Sequence, residues 1–283
     1  MTAGRQIALG LAINLTSWAI AWTGPDAARH HTFFPLWLGF IVAIDGVTRW
    51  RTGSSLISRL RLRFVWLFLI SIPIWWLFEA TNNRLENWSY DLPGSYTWLQ
   101  YRAEASLAFS TVVPAIFVVA ELVRSTGIKR SVHWIRLAPS SRQLACISIA
   151  GALLFAATMV WPDKLFPLIW ISLFLTIDPI VQLLGGRSIG ALVASGRWDT
   201  VLTLFAATLL CGFFWEFWNF WSLPKWTYDI EYADRLRVFE MPLLGYGGYL
   251  PFGLEVYALT ALADRLLRLD LGSAYRFDRA ASE

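Results

Sequence analysis

Carboxylates inside apolar runs are the residues of this sequence that could do chemistry, and they come in matched pairs. Asp45 and Asp178 each lie mid-to-late in an apolar stretch. Glu79 and Glu216 close another, with Asn82 and Asn219 one helical turn later on the same face. Glu104 and Glu240 open the stretch that follows, and Glu255 lies deeper in the last one. An ionisable group in hydrocarbon costs at least ~2.5–3.5 kcal/mol and usually faces a bundle interior or a cavity. A carboxyl in such a low-dielectric setting tends to hold its proton, which is what a general acid requires. The same residues also suit a structural part, capping helices or pairing with Arg84, Arg102, Arg235 or Arg237. Glu104 and Glu240 fit that part because an acid at a helix start complements the helix dipole.

Aromatic residues crowd the same places. Of the 17 Trp, Trp75, Trp76, Trp88, Trp98, Trp215, Trp218, Trp221 and Trp226 gather near the ends of apolar runs. An interfacial belt of any membrane protein has this composition. Trp215, Trp218 and Trp221 also flank Glu216 and Asn219, and an aromatic wall beside an acid suits a polyene or carbocation through cation–π stabilisation.

The elements that must position these groups are membrane helices. The chain has 283 residues, of which 56% are hydrophobic and 16% charged. A soluble domain carries about 25% charged residues. Mean hydropathy is +0.48. Apolar stretches run at about 7–23, 32–48, 64–78, 105–123, 144–161, 166–184, 200–218 and 238–264, each near the roughly 20 residues that cross about 30 Å of hydrocarbon. The first lacks a small-residue cleavage site and is read as helix 1, not a signal peptide. Eight crossings are expected, with seven as the alternative.

The 24 Lys and Arg divide unevenly. Most lie at the N-terminus, in the loops at 49–63, 124–142 and 185–198, and in the C-terminal tail. Alternate loops carry only Arg29, Arg84, Arg102, Lys164, Lys225, Arg235 and Arg237. Both termini are therefore expected to be cytoplasmic, in a bacterial inner membrane. The pI of about 9.2 reflects attraction to anionic headgroups, and no nucleic-acid partner is implied.

The chain also repeats. Phe34-Pro35-Leu36 returns as Phe166-Pro167-Leu168, Ile44-Asp45 as Ile177-Asp178, and Gly53-Ser54-Ser55 as Gly186-Arg187-Ser188. Glu79-Ala80-Thr81-Asn82 returns as Glu216-Phe217-Trp218-Asn219, and Trp88-Ser89-Tyr90-Asp91 as Trp226-Thr227-Tyr228-Asp229; Glu104 answers Glu240, and Pro114 answers Pro251. One register is kept throughout. The expected fold is thus an all-α integral membrane protein of two parallel four-helix repeats, residues 1–130 and 131–283, the second with a cytoplasmic tail. Pro242, Gly245, Gly247, Gly248, Pro251 and Gly253 predict a broken last helix, whereas 105–123 reads as smooth apart from Pro114. Broken helices at membrane depth line protein or a cavity, so the second half reads as the functional copy.

Several chemistries are absent from the pattern. His30, His31 and His133 cannot supply a di-iron or haem set, and no metal site is expected. There is no Walker loop, GxGxxG, GxSxG or zinc spacing. Lys129, Lys164 and Lys225 are not mid-helix, which disfavours a retinal Schiff base. Cys146 and Cys211 read as inert packing residues. The sequence names neither a cofactor nor an oligomeric state.

At Trp226-Thr227-Tyr228-Asp229 followed by Phe239-Glu240-Met241-Pro242, the chain resembles the small-subunit type of lycopene cyclase, a membrane enzyme of duplicated helical units. Where that family has Pro-x-Glu-Glu, this chain reads Arg102-Ala103-Glu104-Ala105 and Glu240-Met241-Pro242. The resemblance implies acid-initiated cyclisation of a linear carotenoid, with Glu240 and Glu104 as candidate acids. The combined expectation is an isoprenoid or carotenoid ligand with Glu216, Glu240, Glu79 and Glu104 catalytic. Asn219, Asn82, Trp215, Trp218, Trp226, Tyr228, Asp229, Glu255, Asp178 and Asp45 are the expected binding residues. Two other classes stay open: a proton-coupled transporter, and a non-catalytic subunit of a membrane or pigment complex.

Overall fold

The computed structural model describes residues 1–92, 94, 96–126, 132–230 and 236–275. The expected repeat boundary at 130/131 lies outside them, as do Lys129, Arg130, Arg235, Arg276 and Arg279. The first half contains α1 (Ala3–Thr23), α2 (Asp26–Arg29), α3 (Phe33–Thr52), α4 (Leu56–Leu60), α5 (Val65–Leu85), β1 (Trp88–Asp91), α6 (Trp98–Phe109) and α7 (Val112–Ser125). The second contains α8 (Ser141–Val160), α9 (Pro162–Leu165), α10 (Ile169–Leu183), α11 (Ile189–Ala194), α12 (Asp199–Asn219), β2 (Lys225–Tyr228), β3 (Arg237–Val238), β4 (Met241–Pro242) and α13 (Tyr249–Leu267).

Among the described residues, six helical segments are long and apolar enough to cross a membrane: Phe33–Thr52, Leu56–Leu85, Trp98–Ser125, Ser141–Val160, Pro162–Leu183 and Asp199–Asn219. α1 and α13 are similarly long, at 21 and 19 residues, but more polar, α1 through Arg5, Gln6 and Asn14 and α13 through Glu255, Asp264 and Arg265.

Close backbone approach sets the packing of α1 on α3 and of α8 on α10. A Cβ on Gly10 of α1 would stand 2.4 Å from Ala43 N of α3, and one on Gly39 of α3 the same distance from Asn14 N. Gly151 of α8 meets α10 in the same way, 2.6 Å from Thr176 N. Small residues give membrane helices this contact because the hydrophobic effect does not drive association in lipid. α7 lies at the centre: every side chain from Val112 to Glu121 is buried, as a helix apolar all round should be.

Asp45 and Asp178 hold the tight turns after α3 and α10. The Asp45 carboxylate accepts from Gln6 Nε2 and Ser55 Oγ, both at 2.7 Å, and from Ile57 N at 3.0 Å. Asp178 accepts from Ile189 N and Gly190 N at 2.8 Å. Both therefore satisfy exposed amides at the start of the short α4 and α11. These turns, with Arg59, Arg61 and Arg63, form the basic end of the bundle. Glu121, buried beside Asp45's turn, pairs with Arg59 at 2.5 Å.

The fourth element of the first half is broken, contrary to the smooth helix expected over 105–123. α6 and α7 meet at Ser110–Thr111 because the Ser71 hydroxyl of α5 inserts into the ladder. It donates to Phe109 O at 2.5 Å and accepts from Val113 N at 3.1 Å, which interrupts the helix as inserted groups do. In the second half the expected break is present: residues 237–248 form a two-stranded ribbon and a 3₁₀ turn before α13 begins at Tyr249. Glu240 accordingly sits in the turn between β3 and β4 and does not open a helix. Glu104 lies inside α6, whose start is made by the Thr97–Gln100 capping box.

Candidate functional site

Opposite the basic end, β1 and β2 pair antiparallel. Trp88 stands opposite Tyr228, Ser89 opposite Thr227, and Tyr90 opposite Trp226. Each strand carries a Trp-x-Tyr segment, so the two matched segments meet about a local two-fold axis through Ser89 and Thr227, whose hydroxyls lie 3.3 Å apart.

Each strand is held by the helix before it in the same manner. Asn82 donates to Trp88 O at 2.7 Å and accepts from Asn87 N and Trp88 N at 2.9 and 3.2 Å. Asn219 donates to Trp226 O at 2.7 Å and accepts from Trp226 N at 2.9 Å. The clamp places the next-but-one tyrosine over the carboxylate one turn back in the helix. Tyr90 donates to Glu79 Oε1 at 2.5 Å, and Tyr228 donates to Glu216 Oε1 at 2.7 Å.

The two carboxylates differ in their remaining partners. Glu79 Oε1 also receives the indole N–H of Trp75 (2.8 Å) and of Trp88 (3.2 Å). Glu216 Oε1 receives Tyr249 OH at 2.8 Å, while Trp226 Nε1 donates to Tyr228 OH at 2.9 Å. Glu216 is fully buried, and its Oε2 has no partner among the described residues. Burial, then the facing Glu216 charge, pushes the Tyr228 phenol well above its usual range. Burial followed by Glu79 does the same to Tyr90. Both phenols stay protonated and act as donors.

These tyrosines form part of the wall of a cavity of about 800 Å³. Trp75, Trp88, Trp170, Trp215, Trp226, Tyr249 and Phe252 are among the aromatic residues that line it, with Pro251 and Gly248 beside them. Phe78 stacks on Trp170 at 6.0 Å, and Trp215 on Tyr249 at 6.0 Å. Glu79 and Glu216 are not themselves at the wall; the phenols stand between them and the space. The volume lies within the roughly 300–1,000 Å³ of small-molecule sites, which share this apolar character with a few convergent polar groups.

Of the residues singled out from the sequence, the structure gathers Glu79, Asn82, Glu216, Asn219, Trp215, Trp226 and Tyr228 in or directly behind this wall. Glu104 is at the wall, paired with His31 at 3.2 Å. Glu240 is outside it, tied to Lys225 Nζ at 2.5 Å. Trp218 packs on Trp37 and Phe40 instead, at 5.1 and 5.5 Å. Asp229 is exposed, its backbone N–H bonded to Asn87 O. Glu255 is buried between α13 and α10, beside the Leu173–Phe174 backbone. Asp45 and Asp178 lie at the other end. Arg84 caps Met159 O, and Arg102 lies over the rings of Trp76 and Trp98, so neither answers a site carboxylate.

Tyr90, Tyr249, Trp170, Phe252 and the polar rim at His30, His31 and Lys164 were not singled out as site residues from the sequence. Tyr90 was legible as the repeat partner of Tyr228. Tyr249 was not, because its repeat position is Val112. Among the described residues, no group of three or more His, Cys, Asp and Glu is arranged to hold a metal ion. No family model, curated protein or solved structure matches the chain.

Proposed function

We propose that this chain is a membrane enzyme that performs acid–base chemistry on an isoprenoid or carotenoid-like lipid, an isomerisation or cyclisation. The observation that supports it is the Glu216–Tyr228–Tyr249 set facing an aromatic cavity. A proton held by the Glu216 carboxyl passes through a phenol to an alkene carbon, leaving a carboxylate and a carbocation. Loss of a proton from a neighbouring carbon to the same route restores the acid and moves the double bond or closes a ring. No oxidant or reductant is needed. Indole faces stabilise the cation, and the apolar lining limits the water that could capture it. Glu240 and Glu104, the acids suggested by the lycopene-cyclase resemblance, have a lesser part in this reading, since each is engaged by a basic residue.

The eight long helical segments are read as eight crossings in two parallel repeats, with both termini cytoplasmic in a bacterial inner membrane. Matching support comes from the Asp45 and Asp178 turns, the two Glu–Asn–Trp–Tyr sets and the local two-fold of β1 and β2. The concentration of arginine at the basic end agrees with that orientation.

The test is expression in a lycopene-accumulating host, with pigment and polar-isoprenoid analysis, beside Glu216→Gln. A new isomer or cyclised product that disappears with Glu216→Gln is expected. Unchanged lipids with folded protein present would count against the reading. Proton-driven solute uptake lost in the same variant would replace it with a transporter.

A further inference from the structure

The charge on the cavity wall is confined to four residues: His30 and His31 before α3, Glu104 of α6 and Lys164 of α9. Three are matched internally. His31 Nδ1 meets Glu104 Oε1 at 3.2 Å, and His30 Nδ1 meets the Tyr96 hydroxyl at 3.0 Å. Lys164 is exposed, and its ammonium has no ion pair or hydrogen bond among the described residues. The rest of the wall is aromatic, aliphatic or glycine, apart from the phenols and Asn87. A partly open apolar volume with an exposed, unmatched ammonium at its wall suits a molecule of two parts.

We infer that the cavity takes an amphiphile, an isoprenoid chain lying along the aromatic wall and ending in one anionic group, a phosphate or carboxylate, held by Lys164. This rests on reading the cavity as a lipid site, and narrows the ligand from a plain hydrocarbon to an isoprenoid acid or phosphate. The ammonium supplies a compact point charge for such a group, and charge-assisted hydrogen bonds are about twice as strong as neutral ones. The imidazoles supply further donors. The head fixes which carbon of the chain lies against Tyr228 and Tyr249.

Binding is read from the intrinsic fluorescence of the purified full chain in nanodiscs, since Trp75, Trp88, Trp170, Trp215 and Trp226 line the cavity. The probes are farnesyl phosphate, farnesol and inorganic phosphate. Farnesyl phosphate should bind about tenfold tighter than farnesol, Lys164→Ala should erase the difference, and Lys164→Arg should keep it. Equal binding of the two, unaffected by Lys164→Ala, overturns the anionic head while leaving the lipid cavity standing. Binding of neither overturns the lipid cavity itself. Displacement of farnesyl phosphate by millimolar inorganic phosphate would assign the rim to free phosphate and overturn the amphiphile.

Discussion

Gly212 and Tyr249 occupy one space: a Cβ on Gly212 would stand 2.5 Å from the Tyr249 ring. The missing side chain lets the phenol reach Glu216. Residue 212 lies 137 positions after Trp75, the same separation as Glu79 and Glu216. In the first half an indole from the helix reaches Glu79, and Val112 stands where the second half has Tyr249. The indole has been exchanged for a phenol, and an indole N–H only donates whereas a phenol can donate and accept. In the proposed reaction, that exchange is what would equip the Glu216 copy to move protons.

Gly212→Ala should therefore displace the Tyr249 ring. Overpacking of this kind costs ~1–3 kcal/mol, read as a lower thermal midpoint of the detergent-solubilised protein. Product formation should fall with it. A variant as stable and as active as the wild type would show that the contact has no part in setting the site.

Tyr228→Phe and Tyr249→Phe each remove a donor from Glu216 Oε1, and each should cost about 1–3 kcal/mol. Because both phenols share one acceptor atom, the double variant should depart from the sum of the singles. A double-mutant cycle in thermal stability checks this, and strict additivity would argue that the two bonds are independent.

Asn219→Ala should free β2 from α12, leaving Trp226 N and O without their present partners. Faster hydrogen exchange at Trp226 and weaker ligand-induced quenching are expected, with Asn82→Ala doing the same at Trp88. The helices themselves should keep their protection. Exchange at 226–228 unchanged from wild type would contradict the clamp.

Alkaline pH offers a separate test. The folded-state values of Tyr90 and Tyr228 are raised above 10. A raised value contributes stability that is fully present below about pH 10 and is lost as pH climbs from there toward the folded-state value. Thermal stability should decline above pH 10, and Tyr90→Phe with Tyr228→Phe should flatten that decline. An absorbance titration showing both phenols ionising near pH 10 in folded protein would refute the buried pairing.

Asp178→Asn keeps the shape of the cap but weakens acceptance from Ile189 N and Gly190 N. Loss of about 0.5–2 kcal/mol is expected, with ligand affinity unchanged because the residue is at the far end of the bundle. A selective loss of ligand binding would place Asp178 in the site after all.

The sequence by itself determined the helical class, the apolar runs long enough to cross a membrane and the pairing of Glu79–Asn82 with Glu216–Asn219. Those features rest on composition and local spacing, which the chain carries in one dimension. The Asn-to-Trp clamp was legible in part because Glu, Asn, Trp and Tyr recur at one separation. Only the tertiary structure decided which carboxylates lie at or directly behind a cavity wall. Asp45 and Asp178 look as unusual as Glu216 in the sequence, yet each turns to cap its own short loop, since exposed amides there need an acceptor. Glu240 moved away from its expected helix start because the ribbon of Arg237–Val238 with Met241–Pro242 carries it to Lys225. Tyr249 came to Glu216 from 33 residues away because Gly212 left room, and complementarity of that kind between separate helices leaves no periodic mark on the chain.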